Sequence, residues 1–249
     1  MLALVETDGT VKWRAMKNII KSQKNGYQVY QKESDIDYWQ VIDDYIQGKI
    51  VGKNLNSGNM ERSVARITIN GKNYIIKCEK ERDSRLEKRI MRMVHGPYFS
   101  RLLYRLVRAQ NQGCTITNDI YFVAEKMRCR ESIETWIIAE YVEGTVLSEV
   151  SDITPYYPEI AALINQLHAY DLASNDIHAG NLVLTDNGLK IIDLSDFGHL
   201  AICKANDLIA LKRFYGIEPD KKNFMYQFIM LRNNMRHWSR KIRGKKTRL

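Results

Sequence analysis

The segment Ser174 to Phe197, SNDIHAGNLVLTDNGLKIIDLSDF, restricts the possible fold more than any other part of the chain. Residues Asn181 to Leu184 and Leu189 to Leu194 are short apolar runs on either side of Asp186-Asn187-Gly188, a turn sequence. They read as two short paired strands. A polar loop, Asp176-Ile177-His178-Ala179-Gly180-Asn181, leads into the first strand, and Asp193 ends the second. Ile191 anchors that strand in a core while Asp193 reaches a cleft. A carboxylate and an amide five residues apart, with a second carboxylate twelve residues on, form a set that suits phosphoryl transfer. Asp176 can accept the proton of a hydroxyl nucleophile. The amide oxygen of Asn181 and the carboxylate of Asp193 can hold Mg²⁺ on nucleotide phosphates.

Complementary groups occur upstream in the required order. Val64 to Ile69 and Lys72 to Cys78 flank Asn70-Gly71, the strongest two-residue hairpin signal, because both central positions tolerate positive φ. In the second strand Tyr74, Ile76 and Cys78 share one face, and Ile75 and Lys77 share the other. Lys77 can therefore grip α- and β-phosphates from a sheet. Asp83 to Val107 reads as mostly helical, interrupted at His95-Gly96-Pro97, and Glu87 is the glutamate best placed to pair with Lys77. Tyr121 to Glu125 and Trp136 to Tyr141 read as strands. The backbone groups of Glu140 and Val142 then face an adenine, and Gly144 lets the chain turn away. Pro158 opens a helix through His168, where a missing N–H costs nothing. Ala205 to Phe214 and Phe224 to Ile242 read as further helices. Strands first and helices afterwards indicate an α+β architecture with two lobes.

The order Lys77, Glu87, EYVEG, D-x-H-x-G-N and IID resembles the protein-kinase-like superfamily. The stretches NDIYFVAEK, AEYVEG, DIHAGN and LKIIDLS, with the basic helical C-terminus, are similar more narrowly to the lipopolysaccharide core heptose(II) kinase family of Gram-negative bacteria. The resemblance runs from about Gly26 to Lys246 and is clearest over 118–217. It implies a bilobal protein-kinase-like fold with a small β-rich N-lobe and a helical C-lobe. The expected divisions are an extension over 1–23, an N-lobe over 24–138, a hinge over 139–144 and a C-lobe over 145–249. The resemblance also implies ATP and Mg²⁺ as cofactors, and a heptose hydroxyl of the lipopolysaccharide core as acceptor, at the cytoplasmic side of the inner membrane.

The chain departs from protein kinases in three respects. It has no G-x-G-x-x-G loop; Gly52 and Gly58, flanking KNLNS, are the nearest substitute. No His-Arg precedes Asp176, and no A-P-E segment follows. Asp196-Phe197-Gly198 spells the metal-binding tripeptide of protein kinases, yet LKII runs directly into Asp193, so Asp193 is read as the metal ligand and Asp196 as the fallback.

Charge separates the tail from the body. Net charge is +9, from 38 basic and 29 acidic residues. Residues 221–249 hold ten of the basic residues and no acidic one, leaving 28 basic against 29 acidic in the rest. An anionic partner for the tail follows: the membrane surface is the expected one, and no nucleic-acid-reading motif accompanies the charge. The longest stretch lacking Asp, Glu, Lys and Arg is the eleven residues Ile160 to Tyr170, against about 20 for a membrane span. The opening MLALVETDG has no basic region of the signal-peptide type. None of the four cysteines stands at C-x-x-C spacing, which points to reduced thiols rather than zinc or redox chemistry.

Each reading has a plainer competitor. Asp176 and Asn181 are common turn residues, Lys77 could be a solvated strand lysine, and Glu87 a helix-surface carboxylate. His178 is expected to brace its loop and His168 to be a packed histidine. The tail could be a solvated helix on the C-lobe. The rival functions are a kinase for another small-molecule or protein hydroxyl and a membrane-associated pseudokinase. Asp176, Asn181, Asp193 and Lys77 together argue against the latter, since a scaffold has no physical need for all four.

Overall fold

The computed structural model describes residues 19–55, 62–80, 97–128, 131–194, 199–219 and 224–242. Strand β1 (Ile19–Lys24), β2 (Tyr27–Lys32), helix α1 (Tyr38–Ile46), β3 (Lys53–Asn54), β4 (Arg62–Ile69) and β5 (Lys72–Lys80) come first. Helix α2 (Phe99–Asn111), β6 (Ile120–Arg128) and β7 (Glu131–Glu140) follow. Then come β8 (Thr145–Val146), α3 (Tyr157–Ala169), β9 (Leu182–Thr185), β10 (Gly188–Ile191), α4 (Leu200–Tyr215) and α5 (Phe224–Ile242). This order is the expected α+β arrangement: a β-rich first part and a mainly helical second part.

Seven strands form one antiparallel sheet in the order β1-β2-β6-β7-β5-β4-β3. Asn70 and Gly71 turn the β4–β5 hairpin with φ of 50° and 78°, the positive pair that the sequence predicts. The same dipeptide at Asn25-Gly26, with φ of 50° and 80°, turns a hairpin that the sequence reading missed. The last residues of the expected extension, from Ile19 on, thus form an edge strand. Their polar sequence, IIKSQK, lacks the alternation that flags a half-buried strand.

The sheet separates two cores, as a sheet covered on both faces must. On one face Ile67, Tyr74, Ile76 and Phe122 pack with Tyr38, Trp39 and Ile42 of α1. Asp37 fixes the start of α1 by accepting the Gln40 N–H at 3.0 Å. On the other face Val123 and Ile137 join Leu102, Leu103 and Leu106 of α2, in a core that continues into α3 and the β9–β10 hairpin. Lys77 shares this second face with the partly buried Ile75, as alternation requires.

The second, three-stranded sheet, β10-β9-β8, ties the chain after β7 to the hairpin. Gly144 permits the approach. Its φ is +149°, and a Cβ there would stand 2.3 Å from the Leu184 carbonyl oxygen. Strand β10 is also bound to the segment before β6. Ile191 N–H donates to Ile116 O at 2.8 Å, and Asn118 N–H donates to Ile191 O at 3.1 Å.

Candidate active site

Lys77 lies in the middle of β5, opposite Ile137 of β7. Its Nζ reaches Asp193 Oδ1 at 2.5 Å. This joins the seven-stranded sheet to the end of the β9–β10 hairpin. Lys77 is mostly enclosed, whereas the Asp193 side chain is 56% exposed. Strand β10 stops at Ile191, two residues earlier than LKIID suggests. Asp193 adopts φ of +61°, a conformation that an Asp tolerates and most residues do not. The reversal turns its carboxylate back toward the sheet.

Asn181 closes the short 3₁₀ turn Ala179–Asn181. Its Nδ2 donates to Asp176 O at 2.9 Å, its backbone N–H donates to His178 O, and its carbonyl accepts from Ile192 N–H at 2.9 Å. With the amide nitrogen turned into the loop, Oδ1 is the atom left to receive a cation. The last of these bonds fixes Asn181 one residue from Asp193. The Asp176 side chain is 65% exposed, while neighbouring Ile177 is buried and anchors the loop. His178 braces the loop as expected. Its Nδ1 accepts the Gly180 N–H at 3.1 Å, so the proton of the neutral ring sits on Nε2, 3.8 Å from Asp176 Oδ2.

The structure also supplies residues that the sequence reading did not single out. Asp207 of α4 is fully buried and accepts from Ser174 N–H at 3.0 Å and Asn175 N–H at 2.5 Å. It also accepts from His168 Nε2 at 3.0 Å, so His168 is a loop-holding residue as well as a packed one. Lys204 Nζ donates to His168 O at 2.6 Å and Asp171 Oδ1 at 3.1 Å. Asn206 Nδ2 donates to Asn175 Oδ1 at 2.8 Å. The first half of α4 therefore holds the end of α3 and the start of the loop that carries Asp176. The signal was present in sequence: Cys203, Asp207, Leu211 and Tyr215 follow one another at four-residue spacing, so the aspartate falls on the buried face.

At the edge of the cleft, Glu140 ends β7. Its N–H donates to Asp119 O at 2.9 Å, and its side chain accepts from Asp119 N–H at 3.0 Å. Val142 N–H meets no backbone acceptor among the described residues. A recess lined in part by Lys77, Asp193, Ile137, Ala139, Leu102 and Leu106 continues inward from the ion pair. Helix α2, which lines it, has the sequence FSRLLYRLVRAQN and no acidic residue. Glu87 and Asp196 lie outside the described residues, and so does Gly58. Gly52 is closely packed: a Cβ there would stand 2.9 Å from Tyr45 Cε2 and 3.0 Å from the Ala65 Cβ.

Burial perturbs groups away from the cleft. Glu125 of β6 caps α2, its Oε1 accepting from Phe99 N–H at 3.0 Å and Ser100 N–H at 3.3 Å. Desolvation raises its pKa from the ordinary 4.5 despite these bonds. The buried Cys78 thiol is pushed up to about 12, chiefly by desolvation, and so stays protonated and unreactive.

A β-sheet lysine paired with an aspartate two residues past β10, with an asparagine and a further aspartate on the preceding loop, is an arrangement that suits phosphoryl transfer. Sequence comparison narrows the class. The profile of the family described as lipopolysaccharide core biosynthesis protein (WaaY) matches residues 18–245, and the chain belongs to that family. A curated relative from Escherichia coli, named lipopolysaccharide core heptose(II) kinase WaaY, is 29% identical over 221 residues, covering 88% of this chain and 96% of its own length. The protein of the same name from Escherichia coli strain K12 is 30% identical over 237 residues, covering 92% of this chain and 100% of its own. A solved structure of WaaP in complex with acyl carrier protein aligns with a TM-score of 0.45 at 16% identity, over 70% of this chain and 73% of that one.

Proposed function

We propose that this chain is an ATP-dependent kinase that phosphorylates a heptose, heptose II, of the lipopolysaccharide inner core. The observation that carries the reading is the Lys77–Asp193 ion pair, tied through the Ile192–Asn181 backbone bond to the loop that carries Asp176. In this reading the N-lobe (24–138) and C-lobe (145–249) enclose ATP across the hinge at 139–144. The Glu140 carbonyl and Val142 N–H take the adenine edge. Lys77 holds the α- and β-phosphates, with Glu87 as its second partner. Asn181 Oδ1 and the Asp193 carboxylate are hard oxygen donors, few in number, which suits a Mg²⁺ that completes its shell with phosphates and water. When bound, Mg²⁺ neutralises charge on those phosphates.

Asp176 accepts the proton of the heptose hydroxyl. The hydroxyl oxygen bonds to the γ-phosphorus, the bond from that phosphorus to the β–γ bridging oxygen breaks, and ADP leaves. Most of the rate comes from positioning and charge neutralisation. The protein works on the cytoplasmic face of the inner membrane, touching it peripherally through residues 221–249. No helix among the described residues is long and apolar enough to cross a membrane.

The test is transfer of ³²P from γ-labelled ATP, with Mg²⁺, to lipopolysaccharide lacking inner-core heptose phosphate. Label is expected on heptose II with wild type and not with Asp176→Ala, which should still bind nucleotide. Equal labelling by Asp176→Ala rejects the assignment of the base. Absence of label with wild type rejects the acceptor.

A further inference from the structure

Helix α5 is amphipathic, and its two apolar faces have different fates. Tyr226 and Ile229 are buried against Ala205 of α4, with partly buried Met225 and Met230 beside them. On the other side Phe224, Phe228, Leu231 and Met235 are 77%, 54%, 59% and 63% exposed. At about 100° per residue these four fall within about 60° of arc, roughly opposite the face that packs on α4. They account for half of the exposed large hydrophobic residues of the described chain. In sequence the four-three spacing continues to Trp238 and Ile242. A single row of this kind is not scattered surface apolarity; it marks a contact face.

Charge identifies the occupant. The segment 221–249 that contains the row has ten basic residues and no acidic one. Pairing with a second copy of the same helix would set cation against cation, the reverse of what stabilises paired helices. A nucleic-acid backbone would satisfy the charges and leave four large apolar side chains in water. An anionic bilayer satisfies both, with acyl chains for the row and headgroups for the cations.

We propose that α5 is a membrane-docking helix, lying in the plane of an anionic bilayer with Phe224, Phe228, Leu231 and Met235 turned into it. This deepens the reading above, since the acceptor proposed there is a glycolipid held in that bilayer. The placement suits it: α5 packs on α4, and α4 holds the catalytic loop through Asp207. The docked helix is one helix removed from Asp176, so the loop is presented to a headgroup sugar near the membrane surface.

The experiment uses the full chain and vesicles of phosphatidylcholine, alone or mixed with phosphatidylglycerol. Wild type is expected to sediment with the anionic vesicles and to weaken as salt rises. The double variant Phe228→Glu, Leu231→Glu should bind at least about tenfold more weakly with an unchanged melting temperature, because both side chains are exposed in the folded protein. Val51→Glu, an exposed apolar residue near the sheet, should bind as wild type. Wild type that ignores anionic lipid, as it would if an acidic protein were the partner, overturns the proposal. So does a double variant that binds as well as wild type, since that leaves attraction by charge alone. Transfer to a deacylated, water-soluble core oligosaccharide separates this from the kinase reading. The double variant should match wild type on that acceptor and fall behind on vesicle-embedded lipopolysaccharide. If wild type labels neither acceptor while the double variant still loses vesicle binding, the kinase reading fails and the docking face stands.

Discussion

Asp176 and Asp207 serve the same loop from opposite ends and have opposite surroundings. Asp176 is 65% exposed, and a histidine ring nitrogen lies 3.8 Å from its carboxylate. Asp207 is fully buried and takes two backbone N–H groups and a histidine N–H. A carboxylate that must accept a substrate proton needs an unoccupied lone pair and access to the cleft. One that must hold a loop needs every lone pair engaged, because a buried charge without partners is costly. On the proposed mechanism, burial and hydrogen bonding therefore separate the proton acceptor from the positioning residue where composition does not. Asp193 stands between the two: exposed like Asp176, yet bonded to Lys77 and reached through a strained backbone.

The contrast can be broken first at those two aspartates. Asp176→Ala should lower turnover by about 100- to 10,000-fold, the usual share of a general base, with a melting temperature close to wild type. Asp207→Ala should cost about 3–5 kcal/mol of stability, because three donors lose a buried acceptor, and should lower turnover as well. Denaturant titration beside a turnover assay checks both. If Asp207→Ala is as stable as wild type, the loop is held by something else. A smaller effect is expected where the two sheets meet. Gly144→Ala places a methyl 2.3 Å from the Leu184 carbonyl at a positive φ, so a loss of about 1–3 kcal/mol should appear in the same titration. No loss would mean that the chain after β7 moves freely against the hairpin.

The smallest and most specific effect concerns Glu125, which is buried like Asp207 but has one oxygen, Oε2, without a hydrogen-bond partner. Its folded pKa is raised above the ordinary 4.5, chiefly by desolvation. Between 4.5 and the raised value the folded protein holds a proton that the unfolded chain has released. Stability must therefore fall as pH rises through that window and level off above it. Glu125→Gln keeps an acceptor for Phe99 and Ser100 N–H and cannot ionise. Its stability curve should lack this component, as chemical denaturation at a series of pH values would show. An identical pH slope in the variant would mean that Glu125 does not titrate in this range.

Much of this was legible in the sequence because it is local. Asn70-Gly71 specified a hairpin by φ alone, and Pro158 opened a helix. The spacing of Asp176, Asn181 and Asp193 placed all three on one hairpin and its approach. The same local logic was available at Asn25-Gly26. It went unread because β1 is an edge strand whose side chains beyond Ile19 face water, so no apolar alternation marks it. Asp207 was hidden for the converse reason. A single acidic residue in an apolar helical series looks like an interruption until the loop it binds, more than thirty residues upstream, is folded against it.

The sequence by itself determined most of the elements, the lysine-bearing strand and the spacing of the loop's polar residues. Turn geometry, strand alternation and helix periodicity act over a few residues, and nothing distant can reverse them here. Only the tertiary structure decided who meets whom. Lys77 and Asp193 pair across 116 residues, Gly52 is explained by Tyr45 and Ala65, and α5 leaves one apolar face covered and the other bare. Such choices depend on which surfaces are removed from water together, and that is settled by packing between elements, not by propensity within them.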